Sequence, residues 1–421
     1  MNTSALLIRD ARVLTMLAPD ETRPPAGGRR GVAMGELGVI ASADVLIESG
    51  RIAAVWPRDA SGASAARVPE GAEEVFAQKR VLMPGFVDCH THACWAGSRI
   101  DEWERKLAGA TYQEIAASGG GIMSTVRATR AHSVESLSCQ LLMRLDAMRE
   151  LGTLTMEVKS GYGLTAEHEM NMLAAIERAS EHIGLTLVRT ALLGHAIDPD
   201  GGTAADFVER TITQALPLVS EKYPGIAVDA FCENGAWSVD DCVRLFEAAK
   251  ASGHPIRVHA DQFTSMGMVE RAIRMGARSV DHLEASTDAT LAAVAASDTF
   301  AVGLPVCGFH LDGRYANLKR IIELGGKMCV ATNYNPGSAP CPSMPLALAL
   351  AVRHCGLTPA QAIVAGTLNP ATMLGFSDRG YIASGARADL LLLNDRDERA
   401  LVYEVGANPV QHRIVNGQLA A

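Results

Sequence analysis

From residue 81 onward the chain alternates short, mostly apolar runs with amphipathic stretches of helical period. The runs fall at 81–88, 153–159, 186–194, 226–232, 256–260, 278–282, 299–304 and 327–332. Runs this short and continuous suit strands buried on both faces. Helix signals stand between them. Ser133 can cap a helix to about Glu150, Thr165 one running up to Gly184, and Ser238 one ending before Gly253. Eight strands alternating with helices predict a parallel (β/α)8 barrel. The alternative is a doubly wound open sheet, which wants a glycine-rich phosphate turn after its first strand. Gly119-Gly120-Gly121 lacks that context and reads as a loop.

Either side of the barrel the pattern changes. Ala5–Met16 reads as a strand, and Asp44–Val55 as a hairpin bending at Glu48-Ser49-Gly50-Arg51. Pro19–Arg30, rich in Pro, Gly and Arg, reads as an exposed loop. Beyond the eighth run, 343–374 reads as helical, Gly380–Gly385 breaks the pattern, and Ala388–Leu393 and His412–Val415 look like strands. The two ends are therefore expected to build one composite β-sandwich domain (1–80 plus 376–421) beside a barrel (81–375).

Composition narrows the class of function. The 421 residues are 48% hydrophobic, enough for a large core, and the net charge of −9 argues against nucleic acid as a partner. The nine cysteines are odd in number and show no CxxC pair, which suits free thiols in a reducing compartment. Met1–Leu17 lacks the basic-then-apolar order of a signal peptide, and no apolar run reaches ~18 residues. The expectation is a cytoplasmic protein that does not enter a membrane.

Chemistry collects where a barrel would use it, at the C-terminal ends of the strands. The first run ends in Asp88-Cys89-His90-Thr91-His92, and residues two apart in an extended chain share a face. With 12 His in 421 residues, such a pair arises by chance in about a third of chains, so the pair alone says little. The other ends give Lys159–Tyr162, His195, Glu233, His259 with Asp261 and Gln262, His282 with Glu284, and Asn333–Ser338. Five of the 12 histidines thus fall on strand ends. His90, His92 and His259 suit one divalent metal ion with a position open for water. The fourth strand ends in Cys232-Glu233 without a lysine, so a single ion is favoured over a bridged pair. For His259 and His282, a structural core histidine is the competing reading.

The stretch Met83-Pro-Gly-Phe-Val-Asp-Cys-His-Thr-His92 resembles the first strand of the amidohydrolase superfamily. Further motifs resemble, more closely, the imidazolonepropionase family: Trp95–Arg99, Lys159–Leu164, Phe231–Gly235, His259–Gln262, Asp281–Glu284 and Asn335–Ser338. The resemblance runs through almost the whole chain. It implies a zinc- or iron-dependent hydrolase that opens the lactam ring of 4-imidazolone-5-propanoate to N-formimidoyl-L-glutamate, and a homodimer. It also implies roles. Arg99 would pair with the propionate of this small acidic heterocycle, Tyr162 would hydrogen-bond the substrate, and His195 would orient or polarise the ring carbonyl. Gln262 would read the ring amide edge and His282 would shuttle protons. Asn335, Gly337 and Ser338 would hold the carboxylate or formimidoyl end.

One position departs from the family. Its pattern has Asp at the end of the eighth strand, touching the metal and taking a proton, where this chain has Asn333. An amide can offer a carbonyl oxygen to a metal but has no useful basicity. Three readings follow: His282 serves as the base, the substrate is another heterocycle handled by a deaminase or hydrolase, or the chain is a catalytically impaired homologue that binds without turnover.

Overall fold

The computed structural model describes residues 5–110, 114 and 119–420. Two eight-stranded sheets organise it. The first is the parallel barrel, in chain order Phe86–Asp88, Thr153–Lys159, Thr186–Gly194, Ala227–Cys232, Ile256–Ala260, Ser279–His282, Phe300–Gly303 and Met328–Val330. Each strand pairs in parallel with the next. The ring closes beyond the last strand, where the Asn333 amide donates to the His90 carbonyl at 3.0 Å and the His92 amide to that of Tyr334 at 3.0 Å. The contacts that complete the barrel thus run through the His-x-His segment itself.

The helices between strands start where hydroxyls accept orphan amides. Ser133 takes the amide of Ser136, Thr165 that of His168 and Ser238 that of Asp241. The expected helix over 343–374 is three pieces, Met344–His354, Pro359–Ala365 and Leu368–Met373. Gly356 ends the first with φ +74°, and Thr358-Pro359 starts the second. No helix among the described residues is long and apolar enough to cross a membrane, and all nine cysteines are free.

The second sheet draws strands from both ends of the chain. Leu6–Leu14, Val39–Glu48, Arg51–Pro57, Glu73–Phe76 and Val81–Pro84 join Leu390–Leu393, Val410–Val415 and Gln418–Ala420. Its strands are hydrogen-bonded into one mixed sheet, the separate domain expected from the two termini. The boundary with the barrel, expected between residues 80 and 81, moves. The apolar run 81–88 is two strands. Val81–Pro84 lies between Leu6–Leu14 and Leu390–Leu393 in the terminal sheet, and Phe86–Asp88 opens the barrel. Gly85 is the joint, and close packing explains it: a Cβ there would sit 2.6 Å from Leu154 Cδ1.

Candidate active site

The first barrel strand delivers His90 and His92, and the fifth delivers His259. All three rings are buried. His90 Nδ1 lies 2.6 Å from Asp281 Oδ2 and His259 Nδ1 3.1 Å from Asp229 Oδ1. With those Nδ1 protons donated to carboxylates, the Nε2 atoms keep bare lone pairs. His92 Nε2 lies 3.3 Å from His90 Nε2 and 3.2 Å from His259 Nε2. Burial holds all three histidines below their usual pKa, hence neutral. A tetrahedral ion with ~2.0–2.1 Å bonds sets its nitrogens about 3.3 Å apart, so His92 Nε2 already stands at ligand spacing from both of the others. Asn333 Oδ1, at the end of the eighth strand, is buried without a hydrogen-bond partner. Neutral nitrogens converging beside an orphaned oxygen fit one divalent cation.

Beneath the site lies a chain of buried charge that the sequence did not reveal. Lys159 Nζ bridges Glu157 and Asp229, each at 2.8 Å. Arg257 Nη1 lies 3.1 Å from the same Glu157 oxygen, and its Nη2 donates to Asp281 Oδ2 at 2.7 Å. The two carboxylates that fix the His90 and His259 tautomers are therefore linked through Lys159, Glu157 and Arg257. Burial works against the Lys159 charge, but Asp229, Glu157 and Asp281 outweigh it and raise its pKa. The available signal was charge at alternate positions of otherwise apolar strands, Glu157-x-Lys159 and Arg257-x-His259.

Above the nitrogens opens a cavity of about 510 Å³. Eleven of the twelve candidate residues line it: His92, Arg99, Tyr162, His195, His259, Gln262, His282, Asn333, Asn335, Gly337 and Ser338. His90 lies fully buried behind them. The cavity's size and mix of polar and apolar walls suit a small ring.

The individual geometries alter several expected roles. His195 Nδ1 is 2.8 Å from the Gly161 carbonyl and therefore carries the proton. Burial lowers its pKa to about 3, so the ring is neutral and Nε2 is an acceptor. It can take a ring N–H but cannot donate to a carbonyl, which corrects the polarising role. Asn335 is committed to its own loop. Its Oδ1 accepts the amides of Gly337 at 2.8 Å and Ser338 at 2.7 Å, and its Nδ2 donates to the Asn333 carbonyl at 2.6 Å. It shapes the loop, leaving Gly337 and Ser338 to face the cavity. Gln262 donates to Cys307 Sγ at 3.3 Å. His282 turns Nδ1 to Glu284, 3.2 and 3.3 Å from its two oxygens, which leaves Nε2 to the cavity.

Tyr162 rides on a loop held by a residue that sequence reasoning missed. Buried Glu169 accepts the amides of Gly161 at 2.8 Å, Gly163 at 2.7 Å and Leu164 at 2.7 Å. Burial pushes the Tyr162 hydroxyl pKa up, so it stays a neutral donor. Glu102 was missed as well. It receives Arg99 Nε at 2.6 Å, takes Arg99 Nη2 on its other oxygen, and accepts the Gly121 amide at 2.9 Å. Burial opposes the Glu102 charge, yet Arg99 holds its pKa below the usual range. Arg99 Nη1 lies 3.5 Å from Thr125 Oγ1, and a Cβ on Gly337 would be 3.2 Å from it. One arm of the guanidinium thus faces the loop of Gly337 and Ser338. The Arg99–Glu102 spacing of three on a helix was the visible clue.

Comparison with known proteins places this geometry. The amidohydrolase family model matches residues 81–420. An imidazolonepropionase of Deinococcus radiodurans is 44% identical over 387 residues, 92% of this chain and 94% of that protein. One of Chloroflexus aggregans is 40% identical over 431 residues, 100% and 99% of the two chains. Among solved structures, 5-methylcytosine deaminase of Klebsiella pneumoniae has a TM-score of 0.73 at 18% identity, covering 99% and 97%. A triazine hydrolase variant has a TM-score of 0.72 at 17% identity, covering 99% and 94%. At such identities the last two speak for the fold alone.

Proposed function

The chain belongs to the amidohydrolase family and, within it, to the imidazolonepropionases, and from that premise we propose how its own residues open the ring. It hydrolyses the lactam C–N bond of 4-imidazolone-5-propanoate to N-formimidoyl-L-glutamate. The observation that carries the site assignment is the convergence of three neutral imidazole nitrogens, two of them oriented by carboxylates, under a cavity whose rim holds Arg99.

His90, His92 and His259 would hold the metal, with the unpartnered Asn333 Oδ1 as the neutral oxygen available at the end of the eighth strand. A divalent ion bound there, zinc or iron, supplies Lewis acidity for the carbonyl and acidifies water. Arg99 Nη1 takes the propionate, with Gly337 and Ser338 beside it. His195 Nε2 accepts a ring N–H, and Tyr162 donates its hydroxyl. Gln262 offers both a donor and an acceptor to the amide edge.

His282 manages the protons. With Nδ1 donating to Glu284, its Nε2 is bare and basic toward the cavity. It accepts the proton that water loses as the C–O bond forms. It returns that proton to the ring nitrogen as the C–N bond breaks. Asn333, neutral, takes no part in proton transfer.

The direct test is to load purified protein with zinc or iron and follow the ultraviolet absorbance of freshly prepared imidazolone propionate. Enzyme-proportional loss of the ring with appearance of formimidoylglutamate is expected. An intact ring in the presence of metal-loaded, folded protein overturns the assignment.

A further inference from the structure

A second group of metal-binding side chains lies beside the first. His282, Glu284 and Cys307 each offer a ligand atom, and these atoms fall within 4.8 Å of one another. They come from the ends of the sixth and seventh barrel strands. His282 ends the strand Ser279–His282, Glu284 follows two residues on, and Cys307 lies in the short helix Pro305–Leu311 after Phe300–Gly303. The three residues of the main site come instead from the first and fifth strands.

Several observations point to a cation. His282 and Leu283 adopt φ of +88° and +75°, left-handed conformations that non-glycine residues rarely take. That backbone brings Glu284 back over its neighbour, so both carboxylate oxygens sit 3.2 and 3.3 Å from His282 Nδ1. A tetrahedral zinc with ~2.0–2.1 Å bonds to nitrogen and oxygen spaces those atoms about 3.3 Å apart, and a ~2.3 Å bond to sulfur lengthens that edge only slightly. The histidine and the carboxylate are already at that spacing, and the sulfur lies within 4.8 Å of both. Glu284 and Cys307 also line a small cavity of about 10 Å³, room for one water-sized occupant. The side chains of His282 and Glu284 are 3% and 6% exposed, and Cys307 is 3% exposed. The cation at the cavity's edge, Arg314, is held by Asp312 at 2.6 Å. One soft, one borderline and one hard ligand suit zinc or cobalt far better than magnesium or calcium.

We propose that His282, Glu284 and Cys307 form a second site for a thiophilic divalent cation, and that filling it inhibits the enzyme. The inhibition rests on the role given to His282 above, because the ion takes Nδ1 and ties the ring down. Binding forms bonds to nitrogen, oxygen and sulfur. It displaces the thiol proton of Cys307 to the buffer and shifts the His282 proton from Nδ1 to Nε2, which can then no longer accept one, with no change of oxidation state. Turnover then falls as free zinc rises above what the main site needs.

The test starts from enzyme carrying one equivalent of metal and adds zinc or cobalt. Two quantities are read: turnover, and the near-ultraviolet thiolate-to-cobalt charge-transfer band, which the three-histidine site cannot produce. The wild type is expected to take a second equivalent, to gain the band and to lose turnover. Cys307→Ser keeps an acceptor for Gln262 and should retain basal turnover. It should show no band and need at least tenfold more zinc for inhibition. If Cys307→Ser does not fold, Cys307→Ala is read by the band and the metal stoichiometry, and its loss of both is the expected result. A wild type that shows no second equivalent and no band, or a variant inhibited at the wild-type zinc concentration, overturns the proposal. Protein that never opens imidazolone propionate defeats the assigned reaction instead, while the band and the stoichiometry still decide the second site.

Discussion

Replacing Arg99 with methionine separates two electrostatic effects at the rim of the cavity. Arg99 and Glu102 form a two-pronged pair, and only Nη1 is turned toward Gly337 and Ser338. A hydrogen bond between charged partners contributes about 1.5–3 kcal/mol, so its loss alone raises KM roughly 10- to 150-fold. The variant also leaves Glu102 without its main partner. Gly121 still donates an amide and Lys106 stands 3.7 Å away, so the carboxylate stays charged. Two like charges about 7 Å apart at an effective dielectric of ~20 repel by about 2 kcal/mol. Together the effects come to about 3.5–5 kcal/mol, a KM higher by roughly 400- to 5,000-fold. Arg99→Met combined with Glu102→Gln removes the repulsion and should fall back to the first effect alone, about 10- to 150-fold. The assay is initial-rate loss of ring absorbance across substrate concentration, with a ring lacking the propionate as control; its rate should barely respond. A rise in KM below about fivefold for Arg99→Met, or a double variant no better than the single, refutes this account of the propionate site.

Other consequences follow from the same geometry. His282→Asn should lower kcat by about 10²–10⁴-fold with little change in KM, read by the same absorbance assay. Asn333→Asp should raise kcat by less than about tenfold, because His282 already accepts the proton; a gain near 10²-fold would return that role to the eighth strand. Lys159→Met strips the cation between Glu157 and Asp229 and should destabilise the fold by about 3–5 kcal/mol in urea unfolding. Chelation should lower Tm, and added metal should restore it in proportion to RT ln(1 + [L]/Kd), by calorimetry; a Tm indifferent to metal would speak against the three-histidine site.

The barrel was legible because its strands are buried on both faces, so each appears as an uninterrupted apolar run. The same continuity hid the joint at Gly85, since nothing in composition distinguishes Val81–Pro84, which joins the terminal sheet, from Phe86–Asp88. The helical region 343–374 read as one element although Gly356 and Pro359 mark a break within it. The histidines could be listed from strand ends, but their tautomers could not. Asp229 and Asp281 are 30 and 191 residues from the rings they orient, and His195 reveals its acceptor face only through the Gly161 carbonyl. The inner ion pairs were illegible for the same reason, because Glu157 and Arg257 stand 100 residues apart.

The position of Val81–Pro84 bears on how the protein acquires its structure. One neighbour of this strand, Leu6–Leu14, is made before it, and the other, Leu390–Leu393, some three hundred residues after. During synthesis, the segment leading directly into His90 therefore waits with one unpaired edge until the whole barrel has been made. Pairings so distant in sequence form slowly, and an open apolar edge invites association with other chains. Truncations that remove only the last strands should thus show as aggregation and low soluble yield, because they leave bare the strand that leads into the first two metal ligands.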